Sequence, residues 1–392
     1  MVDKSKQVLM LLGFAGFIVM ADNWVVSPLL PAISTDIAVS TVTAGALITA
    51  YMLPFSIFQL IFGPLADRFG KTKVILITFT VFAVATTLCA IGTDLTGLIV
   101  LRALTGLFAA STMPVSFALI SDIVPVEQRQ RAIGSFMGVS TLGQALSMGI
   151  GGSIAYFFDW RGVFVIYGII AVIIAVLLWL RLPAAAKDEE IADSDTPMFK
   201  PYLSLLGASA SRRTYLIIFF EGIFLLGSFS YFGAMLSARF SLSFLAIGGV
   251  MTAFGIAALI GGRVSSKLTN RMGRKATVAL GLFLMALANG LIWTDFLNPV
   301  LATVAVAILG FGFMTTHSNL ITMATGFNPK ARGAAMSLAP FSFMLGGAIG
   351  TQLAAPLITA ASYMVMYVVF GLGLLVLGLI TTRILPDIDL GE

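Results

Sequence analysis

A chain of 392 residues that is 58% hydrophobic, 10% charged and has a mean hydropathy of +1.01 carries too little polar surface to cover a water-soluble globule. Lipid is therefore its expected solvent, and the net charge of +5 is a matter of topology, with no basic face for nucleic acid implied. Cys89, the only cysteine, excludes an intrachain disulfide, and its apolar neighbours make it a packing residue.

A hydrocarbon layer of roughly 30 Å takes about 20 helical residues to cross. In chain order, apolar stretches of that length predict spans at 8–33, 41–66, 73–92, 95–122, 130–157 and 161–182. The polar run from Leu182 to Pro201 then reads as a linker, and six more spans follow at 214–236, 244–268, 275–294, 298–325, 331–358 and 362–386. The expected organisation is an N-terminal six-helix bundle over 1–182, a linker over 183–213 and a C-terminal bundle over 214–392. The first stretch lacks a signal-peptide cleavage site, so it is expected to stay in the membrane. Of 23 Lys and Arg residues, 20 fall on the side of the chain termini. The positive-inside rule then predicts a cell-membrane protein with both termini in the cytoplasm.

Within span 1, Asp22 lies about 16 Å below the outer end, and Arg102 in span 4 about 12 Å below its own, depths that allow the two to pair. Desolvation favours the neutral form of a carboxylate and a nearby guanidinium the charged form, so relative movement would switch proton affinity. Asp22 is thus the expected proton site and Arg102 its partner, against the plainer reading of a static ion pair joining spans 1 and 4. Glu221 in span 7 has no basic residue within one helical turn and is expected as a second proton site, an anchor for a cationic ligand, or a hydrogen-bond partner of a neighbouring helix. His317, the only histidine, cannot build a metal site alone; a hydrogen-bonding role is expected before a substrate or proton role. Aromatic and methionine residues near the midplane, among them Trp24, Tyr51, Phe55, Met113, Phe117, Tyr231 and Met235, favour a lipophilic ligand, with Asn23, Gln59 and Gln144 supplying polar contacts. Gly134, Gly138, Gly143, Gly151 and Gly152 in span 5 predict close helix packing.

The loop after span 2, GPLADRFGKTKV from Gly63, is echoed at an offset of 203 residues by SKLTNRMGRKAT from Ser266, so that Leu65, Arg68, Gly70 and Lys71 match Leu268, Arg271, Gly273 and Arg274. Two repeated six-helix halves are a common transporter construction, with the ligand site between them.

That loop resembles the signature of the major facilitator superfamily, with Gly63, Leu65, Ala66, Asp67, Arg68, Gly70 and Lys71 in register. LIVLRALTGLFAA from Leu98, with Arg102 and Gly106, and DWRGVF from Asp159 resemble further motifs of the same family. Asp22, Asn23 and SPLLPAI from Ser27 are most similar to the twelve-helix drug:proton antiporters, although Ser147 and Met148 stand where those exporters carry a glycine-proline pair. The resemblance implies an all-α membrane fold of 12 helices in two pseudo-symmetric bundles and proton coupling through Arg102. It also implies a cytoplasmic gate in which Asp67, Arg68, Lys71 and Asp122 latch onto span 11. The expected function is export of lipophilic small molecules, cations among them, by a monomer driven by the proton gradient, with no cofactor. Metabolite uptake or exchange and lipid flipping share the architecture. No phosphate-cradling loop, paired acidic motif or metal-ligand cluster suggests an enzyme.

Overall fold

The computed structural model describes residues 2–185, 199–294, 296–328 and 332–385. Every regular element among them is a helix. The first half contains α1 (Val2–Asp36), α2 (Thr41–Ala44) continued by α3 (Ala46–Phe69), α4 (Lys71–Cys89), α5 (Leu95–Ala109) continued by α6 (Thr112–Ile123), α7 (Val126–Phe157) and α8 (Trp160–Ala185). After the short α9 (Lys200–Gly207), the second half contains α10 (Ser209–Ser230) continued by α11 (Phe232–Phe240), α12 (Phe244–Met272), α13 (Arg274–Trp293), α14 (Pro299–Gly326), α15 (Arg332–Ala360) and α16 (Tyr363–Ile384). Eleven helical stretches are long and apolar enough to span a bilayer. The twelfth, α7, has the length but falls short in hydropathy through its glycines and its polar Ser140, Thr141, Gln144 and Ser147. It packs on α1 and on α12.

Helices that begin on the side away from the termini start with a side-chain cap, which closes backbone N–H groups that water would not reach deeper in the layer. Ser40 accepts from Thr43 N, Asp94 from Gly97 N, Asp159 from Gly162 N, Ser243 from Ala246 N, Asn298 from Val300 and Leu301 N, and Ser362 from Val365 N. On the terminal side the repeated loops turn on one residue each. Gly70 and Gly273, the matched pair of the repeat, both hold positive φ, at 93° and 82°. A glycine is favoured there because a side chain would clash in that conformation, which gives the sequence echo its physical cause.

The linker differs from a bare tether. Residues 186–198 lie outside the described residues, but α9 falls inside the expected linker and buries Tyr202 and Leu205, and the Tyr202 hydroxyl donates to the Leu60 carbonyl at 3.0 Å. Of the span 5 glycines, Gly143, Gly151 and Gly152 do touch neighbours, whereas Gly134 and Gly138 face open space. That pair therefore contributes no close packing in this conformation.

A close helix approach in the first half is that of Gly106 on α5, where an added Cβ would stand 2.2 Å from the Tyr51 carbonyl oxygen of α3. Forcing atoms into such a contact costs about 1–3 kcal/mol. Gly106→Val is expected to lower the melting temperature of the detergent-purified protein by several degrees, read by size exclusion after heating; an unchanged melting point would mean that α3 and α5 can part without cost.

Candidate functional site

The two halves meet along the side of the bundle away from the termini. Ser27 of α1 donates to the carbonyls of Phe229 and Ser230 at 3.1 and 2.9 Å, the Tyr231 hydroxyl donates to Val42 O at 3.2 Å, and Gln352 Nε2 donates to Thr49 Oγ1 at 3.0 Å. On the α7–α12 seam, Cβ atoms added to Gly152 and Gly255 would lie 2.5 Å from Phe244 O and 2.3 Å from the Ala145 Cα. Trp24 closes the centre, stacking on Phe254 and meeting Phe229 edge-on, both at 5.5 Å.

On the terminal side of this seal lies a cavity of about 310 Å³ between the halves. Its first wall contains Met20, Trp24, Phe55, Gln59, Met113, Phe117 and Gln144, and its second Phe313, Met314, His317, Met336, Phe343 and Met344. Seven of the residues singled out in the sequence as ligand contacts therefore line one space: Trp24, Phe55, Gln59, Met113, Phe117, Gln144 and His317. The other four sit elsewhere. Asn23 Nδ2 reaches Met344 Sδ at 3.9 Å behind the wall, and Tyr51 packs inside the first half. Tyr231 belongs to the outer seal through its bond to Val42, and Met235 is fully buried. The wall built by α14 and α15 was not foreseen apart from His317, because Phe313, Met314, Phe343 and Met344 look like ordinary lipid-facing residues in an apolar helix. The sequence signal available was the polar cluster Thr315, Thr316, His317, Ser318 and Asn319, which marks α14 as a helix that does not face lipid all round.

Asp22 and Arg102 do pair. Arg102 Nη1 donates to Asp22 Oδ2 at 2.7 Å and Nη2 to the Asp22 carbonyl at 3.3 Å, while the guanidinium lies over the rings of Tyr51 and Phe164 at 4.5 and 5.7 Å. Both side chains are buried. At 100° per residue, Asp22 points away from the cavity face that Met20 and Trp24 share, into the interior of its own half. Oδ1 of Asp22 and Nε of Arg102 have no protein partner.

Glu221 is not the unpaired carboxylate that its own helix suggests. His317 of α14 reaches across, its Nδ1 lying within hydrogen-bond distance of Glu221 Oε2 at 3.0 Å, 96 positions away in the chain. The imidazole is flanked by Phe313 and Phe343, with ring centroids at 5.0 and 4.6 Å. Glu221 is fully buried behind it, and its Oε1 has no partner.

The terminal-side loop forms a network within the first half. Lys71 Nζ donates to Asp122 Oδ2 at 2.6 Å and lies 3.8 Å from Asp67, which is half exposed. Arg68 lies over the Phe69 ring at 5.8 Å, and Gly63 faces open space. The bond expected from Asp67 to the start of span 11 is not formed among the described residues; that helix begins at Arg332, next to residues 329–331, which lie outside them. No cluster of three metal-ligating side chains exists among the described residues.

The sequence profile of the Major Facilitator Superfamily matches residues 12–351 and, in a second match, 236–389. The chain is 29% identical over 348 residues to the uncharacterized MFS-type transporter YceJ of Bacillus subtilis (strain 168), covering 86% of each chain. It is 26% identical over 417 residues to the multidrug transporter protein MdtP of the same organism, covering 92% of this chain and 76% of that one. The crystal structure of the nucleoside transporter NupG superposes with a TM-score of 0.78 at 14% identity, over 97% of this chain and 100% of that one. The profile reaches nearly from end to end of the chain, over twelve long helices in two facing halves with a cavity between them, and the protein is a multi-pass membrane transporter of the Major Facilitator Superfamily.

Proposed function

We propose that this transporter exports lipophilic small molecules in exchange for protons, working as a monomer without a cofactor. The observation that carries the reading is the chemistry of the cavity wall. Six methionines (Met20, Met113, Met137, Met314, Met336 and Met344) and a set of aromatic rings surround few polar groups, chiefly Gln59, Gln144 and His317. Methionine is flexible and polarizable, so such a wall reshapes around different apolar ligands. The volume suits a drug-sized molecule. The excess of Lys and Arg on the terminal side supports a cytoplasmic assignment of that side under the positive-inside rule, and on that assignment the cavity in this conformation lies toward the compartment from which an exporter loads. Asp22, with one carboxylate oxygen free of partners and the other held by Arg102, is the proton site of this reading. The Asp67–Lys71–Asp122 network is the terminal-side gate of this reading. The likeness to MdtP supports a drug substrate.

Inside-out vesicles test the direction and the coupling together. Acidifying the lumen is expected to drive accumulation of a lipophilic dye, a protonophore to abolish it, and Asp22→Asn to leave only downhill flux. Accumulation that ignores the proton gradient would overturn the reading and favour a carrier driven by its substrate gradient.

A further inference from the structure

The pairing of Glu221 with His317 puts a titratable group on the cavity wall of the second half, apart from Asp22 and Arg102. We propose that His317, backed by Glu221, is a binding site for an ammonium group bearing an N–H, and that a proton and this cation compete for its Nε2; the proposal rests on the transport reading above and names its substrate class.

The geometry fixes the chemistry. Toward an ionised Glu221, which can only accept, His317 Nδ1 at 3.0 Å from Oε2 is the donor, so a neutral imidazole then carries its proton on Nδ1 and leaves Nε2 as an acceptor. Among the described residues Nε2 has no protein partner and, unlike the sealed Oε1 of Glu221, it is not enclosed, on a side chain that lines the cavity. Phe313 and Phe343, stacked on one another at 5.3 Å, pack together against the ring and, with the Nδ1 contact, orient this acceptor beside aromatic groups suited to a cation. With neutral His317 and ionised Glu221 the site carries one negative charge. An ammonium whose N–H donates to Nε2 neutralises it. A proton delivered to Nε2 by a hydronium ion, whose O–H bond breaks to leave neutral water, also neutralises it, turns the acceptor into a donor, and leaves an imidazolium that repels the cation. One cation therefore leaves for each proton that enters, and the only bond made is N–H on Nε2.

The surroundings hold no competing charge. The only ion pair of Glu221 or His317 among the described residues is the one with each other. Between residues 333 and 360, α15 has no titratable side chain. The basic residues of α12 and α13, from Arg263 to Lys275, lie toward the terminal-side ends, as do Arg212 and Arg213 of α10 and Arg383 of α16. Tyr363 and Tyr367 of α16 sit near the opposite end. Across the cavity, Asp22 and Arg102 are turned into their own half and neutralise one another.

The test is isothermal titration of the purified protein with imipramine, a lipophilic tertiary ammonium, and with its N-methyl quaternary derivative, which keeps the charge and lacks the N–H. Titrations run from about pH 5.5 to 8, where imidazole groups change charge, in buffers of different ionisation heat so that released protons are counted. Wild type is expected to bind imipramine more tightly than the quaternary compound at the upper pH. It should weaken by about tenfold per pH unit once protonation dominates, with release approaching one proton per ligand. In His317→Gln, which keeps an acceptor that cannot titrate, imipramine binding should persist and lose its pH dependence. Glu221→Gln should weaken both cations and leave a neutral probe unaffected. Equal binding of the two compounds in wild type, an unchanged pH profile in His317→Gln, or no imipramine binding at any pH would each overturn the assignment. Proton-driven flux of a neutral dye, measured on the same variants, reports separately on the export reading: its survival alongside any of those results sinks only the role of His317.

Discussion

Arg102→Leu is expected to remove nearly all folded protein from the membrane fraction, and the double variant Arg102→Leu with Asp22→Asn to restore much of it. The reason lies in the burial of the pair: both side chains are enclosed, 1% and 0% exposed, and among the described residues Arg102 is the only cation paired with Asp22. Removing one member of a buried ion pair leaves an uncompensated charge in a low-dielectric interior, at a cost of about 3–5 kcal/mol, which is a large share of a domain's stability. Removing both charges eliminates that penalty and leaves chiefly a packing defect over Tyr51 and Phe164. Asp22→Asn alone should be milder, since an amide oxygen can still accept from Nη1 and the two rings still face the guanidinium. Fluorescence-detected size exclusion of the four proteins gives the answer. If the single Arg102→Leu variant folds as well as the double, Asp22 carries no charge in the resting state, and the pair is a proton store whose carboxyl is already loaded.

The difference between the two polar pairs shows what the sequence could and could not reveal. Asp22 and Arg102 were legible as a pair because each lies in a span whose ends are well marked, so depth follows from counting residues at 1.5 Å each. Glu221 and His317 escaped that reasoning. Depth alone does not say which faces of α10 and α14 meet, and a helix apolar all round gives no stripe from which to infer rotation; α14 has glycines, threonines and large apolar groups on every side. For the same reason Tyr231 and Met235, at a depth like that of the cavity residues, fall in the outer seal and the packed interior. Their position depends on which side of the bundle is closed, a property of conformation and not of any one helix. The loops were more legible. Gly70 and Gly273 recur 203 residues apart because both one-residue turns demand positive φ, a local requirement that the sequence has to meet in each half. Span 5 lay between these cases: its polar and glycine-rich composition weakens the hydropathy signal, and that weakness is itself the mark of a helix facing α1, α12 and the cavity.

Locking the α7–α12 seam is expected to stop transport completely and reversibly. Gly149 and Thr252 face one another across it, and a Cβ built on Gly149 stands 3.6 Å from the Thr252 Cβ, within the range that a disulfide spans. The nearest atom is the Thr252 hydroxyl at 2.5 Å, which the substitution to cysteine removes along with the methyl group at 3.8 Å, leaving the bonding sulfur. Cys89, the only native thiol, is buried against Thr105, so Cys89→Ala supplies a background without competing sulfur. In that background Gly149→Cys with Thr252→Cys should transport when reduced, fall to the vesicle baseline after oxidation, and recover on adding dithiothreitol, whereas each single cysteine should be indifferent to oxidant. Equilibrium binding to the terminal-side cavity should survive the lock, since no lining residue has moved. The argument is one of geometry. To release a ligand on the outer side the halves must part along the surface where Ser27, Thr49, Tyr231 and the α7–α12 glycines now hold them together, and a covalent bond at Gly149 and Thr252 prevents that parting whatever the source of driving energy. Full transport by the cross-linked protein would mean that this seam stays shut throughout the cycle, and that the path to the outer side runs through a different pair of helices.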